Sequence, residues 1–91
     1  ALMRYVVIWT FRPEHREAAV ARFIETGGNP PDGVAMLSRS HDIGGNRGFA
    51  IVEATDSTLI ARWCREWADL LSFEIVPAIN DEELISILRG S

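Results

Sequence analysis

Residues 4–11 (RYVVIWTF) are apolar at almost every position, and this limits the possible folds more than any other feature of the chain. The run is rich in β-branched and aromatic residues, so it reads as a strand. Side chains alternate across a strand, sending Tyr5, Val7, Trp9 and Phe11 one way and Val6, Ile8 and Thr10 the other. A sheet wet on one face alternates apolar with polar; this strand needs cover on both faces. Residues 47–54 (RGFAIVEA) repeat the pattern, with Phe49 and Ile51 opposed to Ala50 and Val52. So do residues 73–77 (FEIVP), with Phe73 and Ile75 opposed to Val76.

Between these strands the punctuation is clear. Pro13 opens a helix at its first turn, where its missing N–H costs nothing. Ala19, Val20, Phe23 and Ile24 form the apolar stripe of that helix, and Gly27-Gly28 ends it. Asn29-Pro30-Pro31-Asp32-Gly33 is a rigid turn into a second strand, residues 34–41 (VAMLSRSH). Residues 42–46 (DIGGN) have the Gly-Gly of a hairpin loop and lead into the third strand. Thr55-Asp56-Ser57 supplies N-cap residues for a helix over 57–71, striped by Leu59, Ile60, Trp63, Cys64, Trp67, Leu70 and Leu71. After the fourth strand, Pro77 marks a strand end or sheet edge. Asn80 or Asp81 can cap a last short helix, DEELISIL.

The order is β-α-β-β-α-β followed by a short helix. It predicts one α+β domain of the ferredoxin-like pattern, a four-stranded antiparallel sheet with the helices on one face. Two helices cover one face only, and the strands are apolar on both. A second copy is the simplest cover for the bare face, so a homodimer through the sheet is expected. A chain of 91 residues that is 47% hydrophobic can build a core, and it gains by hiding more apolar surface through association.

Composition excludes several functions. The net charge is −4 and every cation is arginine, so the basic field that nucleic acid requires is missing. No lysine is present to form a Schiff base. One cysteine, Cys64, cannot form an intramolecular disulfide, and no His/Cys spacing suits zinc, so no metal is expected. No stretch is long and apolar enough to span a membrane, and no signal peptide is recognisable at the N-terminus. Met3, after Ala1-Leu2, is the expected natural start, and the cytoplasm the expected compartment.

Two groups of residues bear on chemistry. Alternation puts Arg39 and His41 on one face of the second strand with Ala35 and Leu37, and Glu53 with Phe49 and Ile51 on the third. If those faces coincide, a cation, an imidazole and a carboxylate converge to bind an anion, orient a water or move a proton. The alternative is ordinary charge pairing at strand ends. Trp9, Trp63 and Trp67 either wall an apolar pocket between sheet and helices or simply fill the core. Asp69 sits near the end of its helix, an unfavourable place for an acid, which suggests an arginine partner. Cys64, on the buried stripe with no adjacent cation, reads as an inert core thiol.

The segments YVVIWTF, FIETGGNPPDGV, GFAIVEATD and WADLLSFEIVPAINDEE span nearly the whole chain. In order and spacing they resemble a family of short bacterial proteins, known only as a domain of unknown function, in the dimeric α/β-barrel superfamily. Its members often have GRWH where this chain has Ser38-Arg39-Ser40-His41; the arginine and histidine are kept, the tryptophan is not. The resemblance implies a ferredoxin-like fold and a dimer with facing sheets, and no particular reaction. Relatives in the superfamily include cofactor-free monooxygenases, isomerases, haem-binding enzymes and ligand-sensing domains, with pockets between sheet and helices. By that analogy Trp9, Arg39, His41, Glu53, Trp63 and Trp67 are the ligand-binding positions.

Three functions then compete. A small-molecule-binding dimer fits the apolar sheet, the tryptophans and the lack of a nucleophile–base pair. A cofactor-free monooxygenase or isomerase acting on a small hydrophobic substrate would use His41 as base and Arg39 against an oxyanion. A structural or interaction module would have a solid core. No cofactor is expected, because a haem needs an axial ligand facing a large apolar pocket and His41 is badly placed for that.

Overall fold

In the computed structural model, which describes residues 1–90, β1 (Met3–Phe11) runs through the middle of a four-stranded antiparallel sheet. A single 3₁₀ turn (Pro13–His15) leads into α1 (Arg16–Thr26), then β2 (Val34–His41), β3 (Arg47–Ala54), α2 (Ser57–Arg65), β4 (Leu71–Ala78) and α3 (Asp81–Leu88). The strand order β2-β3-β1-β4 makes this an α+β protein of the ferredoxin-like β-α-β-β-α-β fold. Because β1 pairs with β3 on one side and β4 on the other, its side chains on both faces lie in the middle of the sheet.

Pairing register fixes which side chains share a face. Tyr5, Val7 and Trp9 lie opposite Val52, Ala50 and Gly48, and on the other flank opposite Pro77, Ile75 and Phe73. This is the helix-covered face, and it holds the buried core: Val7, Ala50, Val52 and Ala54 from the sheet, Ala19, Ile60 and Trp63 from the helices. β3 is small on that face and large on the other, where Phe49 and Ile51 stand beside Val6 and Ile8. Those four are only half-buried in the monomer.

Local chemistry sets the element ends. Gly27 closes α1 with φ 75°, its N–H donating to Phe23 O at 2.7 Å, a left-handed position that favours glycine. Asp56 caps α2, its carboxylate accepting from Thr58 N at 2.9 Å. The hydrogen bonds from Thr58 hold the Asp56 carboxyl below the usual range.

Three expectations need correction. The second helix ends at Arg65, not at residue 71. Residues 66–70 follow as turns with tighter bonds, such as Ala68 N to Arg65 O and Leu70 N to Trp67 O. The tightening reverses the chain within a few residues, so that the consecutive Leu70 and Leu71 are both buried and β4 begins at Leu71 opposite Phe11. In α1 the apolar stripe is mostly not buried. Ala19 is enclosed, while Val20 and Phe23 stay partly open and Ile24 is 79% exposed.

The third correction concerns β2. A β-bulge lies between Met36 and Ser38, with Leu37 as the extra residue. One added residue inverts alternation. Val34 and Met36 share the helix face as even-numbered residues, and beyond the bulge the odd-numbered Arg39 and His41 take that same face, opposite Ala50 and Gly48. Ala35 and Glu53 pair on the other face.

Val52 is fully enclosed beneath the helices. Val52→Ala removes two methyl groups with little room to collapse and should cost about 2 kcal/mol in urea unfolding. An unchanged midpoint would mean that the helix face is not the core.

Candidate functional site

The bulge and the small face of β3 together create a cavity. Across the sheet, one row runs Phe73, Trp9, Gly48, His41, and the next runs Ile75, Val7, Ala50, Arg39. Gly48 and Ala50 fill little space, so the indole of Trp9 lies sideways across Gly48. A Cβ placed there would come within 2.2 Å of Cζ2 of Trp9. Above this floor α1 contributes Ala19, Val20 and Phe23, and the α2 side contributes Trp63 and Trp67. The space so walled, open on one side, is about 210 Å³.

The walls are nearly all apolar and largely aromatic; Arg39 and His41 are the polar side chains on the lining. They stand together at the α1 end of β2. His41 meets Trp9 edge-on at 5.9 Å between ring centroids and Phe23 edge-on at 5.5 Å. Its ring nitrogens have no hydrogen-bond partner among the described residues, and the residue is exposed, so it sits at the mouth. The Arg39 guanidinium stacks over Phe23 at 5.0 Å. Its Nη1 donates to Gly28 O at 2.8 Å and its Nη2 to Gly27 O at 3.0 Å. Arg39 therefore caps the carbonyl end of α1, where a cation also suits the helix dipole.

The expected trio does not assemble. Glu53 lies on the opposite face of the sheet, where its Oε2 accepts from Arg4 Nη2 at 3.1 Å. The bulge separates it from Arg39 and His41, because it moves those two to the helix face and leaves Glu53 behind. Trp9, Trp63 and Trp67 do come together with Arg39 and His41 around one cavity. Trp9 and Trp63 are also core residues, so the two readings of the tryptophans describe the same side chains.

Sequence reasoning missed Phe23, Gly28, Gly48 and Phe73. Phe23 belongs to the apolar stripe of α1 in the sequence, and its position over Arg39 and His41 depends on where β2 lies. Gly48 could have been noticed as a glycine inside a strand, a mark of close approach by a neighbouring group. Gly28 is buried with φ 58°, and a Cβ there would strike Phe23 and the Arg39 guanidinium.

A second clamp holds the other wall. Arg22 of α1 makes a two-pronged ion pair with Asp69, Nη1 to Oδ1 at 2.9 Å and Nη2 to Oδ2 at 2.8 Å. Nη1 also donates to Glu66 O at 3.0 Å, and the guanidinium lies 5.3 Å over the Trp67 ring. The pairing raises the Arg22 pKa and holds the Asp69 carboxyl below the usual range, chiefly through their hydrogen bonds. Burial pushes the Cys64 thiol up, as suits a packing residue. Among the described residues no group of three or more His, Cys, Asp or Glu side chains could hold a metal ion. No helix among them is long and apolar enough to cross a membrane.

Gly48→Ala should push Trp9 into the cavity, cost about 1–3 kcal/mol and shift tryptophan emission; unchanged emission and stability would contradict the close contact. For Asp69 the sign follows from its lowered pKa. The ion pair's stabilisation is present above the ordinary aspartate pKa of about 4 and is lost as pH falls through the lower folded value. Stability should therefore decline below about pH 4 in the wild type, and more shallowly in Asp69→Asn, as followed by thermal melts across pH 2–6.

The family model described as Domain of unknown function (DUF3303) matches residues 3–91. No curated protein matches the chain.

Proposed function

This chain belongs to the DUF3303 family, whose description assigns no activity, and we propose that it is a homodimeric protein that binds a small hydrophobic molecule between its sheet and its helices. The observation that carries the proposal is the aromatic cavity of about 210 Å³ beside Trp9, Trp63 and Trp67. An apolar cavity of roughly 150 Å³ already takes up benzene. This one has room for a one- or two-ring ligand. Gly48 lets the Trp9 indole lie across the sheet, and the space above that ring stays open.

Binding without turnover is the better supported reading. Of the three candidate catalytic groups, Glu53 faces away and Arg39 is held by the Gly27 and Gly28 carbonyls. His41 is left at the mouth, able to hydrogen-bond a polar group on the ligand. A purely structural module has no use for the cavity.

The partner reading rests on the other face. Val6, Ile8, Phe49 and Ile51 form a half-buried apolar band that a second sheet would cover, which supports the reading of a dimeric α/β barrel. The lone free thiol of Cys64 supports a cytoplasmic location.

Indole and naphthalene derivatives are suitable probes. They should raise the melting temperature, and at a hundred times Kd the gain is about 2.7 kcal/mol. Val20→Trp should fill the cavity from its open side and abolish that shift without lowering the melting temperature of the free protein. If no aromatic or aliphatic probe shifts the wild type, the binding reading fails. Sedimentation at micromolar concentration should give twice the chain mass of 10.2 kDa; a 10.2 kDa species alone would remove the dimer.

A further inference from the structure

We infer that α3 is an exchanged arm, docking its apolar face on a second copy of this chain. The inference rests on the dimer proposed above and assigns it a second surface. None of the residues of α3 is buried. Leu84 and Ile85 are 44% exposed, Ile87 60% and Leu88 75%. At 3.6 residues per turn these four fall within an arc of roughly 160°, and Glu82, Glu83, Ser86 and Arg89 occupy the rest. The helix is amphipathic, yet no residue of its apolar side is buried in its own chain.

Its start is nonetheless firmly specified. Asn80 and Glu83 form a complete capping box, with Glu83 N donating to Asn80 Oδ1 at 2.9 Å and Asn80 N to Glu83 Oε1 at 3.0 Å. A helix of eight residues is marginal in water by itself, capped or not. The sequence thus specifies a helix that only tertiary or quaternary packing can make stable.

Its own chain leaves that side largely open. Ile79 and Asn80 are the only residues between β4 and α3, and the capping box fixes the direction of exit. The result is an extended molecule, 49 × 28 × 17 Å, with a radius of gyration of 14.7 Å. A compact chain of this length has about 12 Å.

A second copy supplies what is missing, and area favours it. At the fractions above, the four side chains expose on the order of 400 Å², about half of the ~800 Å² per partner that a stable interface buries. The other half is present on the same chain, in the open sheet band and in Val76 and Ile79, which are 39% and 50% exposed just before the arm. Two copies related by a twofold axis can each lay an arm beside the other's sheet, satisfying both surfaces and leaving none to propagate.

The test uses the full chain. Leu84→Glu/Leu88→Glu should weaken dimerisation at least tenfold by sedimentation. Near-UV circular dichroism of the monomer should not change, because neither side chain is part of its core. In the wild type, hydrogen-exchange protection of residues 84–88 should rise with protein concentration in step with the dimer. An unchanged dimer in the double variant overturns the arm. So does protection that is independent of concentration in a 10.2 kDa species, which would mean docking within one chain. Ile51→Arg, on the sheet band, separates the two readings. If it dissociates the dimer and the arm variant does not, the sheet interface stands and the arm does not; if the wild type is monomeric throughout, both fail.

Discussion

The indole of Trp9 occupies the place where a side chain on Gly48 would be, and the arrangement of the helix face depends on that contact. A large ring in the central strand needs an empty neighbour. The glycine opposite supplies it, and the ring turns sideways toward His41 instead of upward into the helices. Had the indole stood upright, it would have occupied the space between sheet and α1. Lying flat, it becomes a floor, and Phe23, Trp63 and Trp67 can wall the volume above it. The cavity is thus a consequence of one large and one missing side chain facing each other across β1 and β3.

A cavity next to a core requires its rim to be held open, and here two arginines do that. Arg39 fastens the carbonyl end of α1 to β2, and Arg22 fastens the middle of α1 to the turns after α2 through Asp69 and Glu66. Both guanidinium groups also lie over an aromatic ring of the lining, Phe23 and Trp67 respectively. A planar, forked cation can bond two carbonyls or a carboxylate and stack on a ring at once, which an ammonium cannot. In a chain whose cations are all arginine, these two are structural ties of the α1 wall. This is why Arg39, so placed, is an unconvincing catalytic group, and why His41, whose ring nitrogens have no partner among the described residues, is the proposed polar contact at the mouth.

The two faces of the sheet divide the labour. On the helix face β3 is small and the volume is given to a cavity; on the other face the same strand carries Phe49 and Ile51. The bulk therefore points away from the chain's own helices, to the face that the proposed partner would cover. α3 extends the same logic, because its cap is encoded locally and its apolar side is not used locally. A chain this short gains from burying such surfaces between copies.

The sequence by itself determined the order of elements, the fold class and most helix ends. Those follow from local signals: Pro13, Gly27-Gly28, the DIGGN loop, Asp56 and the capping box at Asn80 act over a few residues. It also indicated that the tryptophans could line a pocket, and it suggested an arginine partner for Asp69; Arg22 is that partner, although α2 ends at Arg65 and Asp69 lies in the turns beyond it. Tertiary structure alone decided which face each residue of β2 takes. Alternation from Val34 sends Arg39 and His41 to the open face, and a single bulge at Leu37, marked by neither glycine nor proline, sends them to the cavity. Strand parity is a cumulative property, so one extra residue reverses every side chain beyond it. Glu53 was lost from the site, and Phe23 was gained, for that one reason: local signals set where elements begin and end, and only pairing between strands sets which way they face.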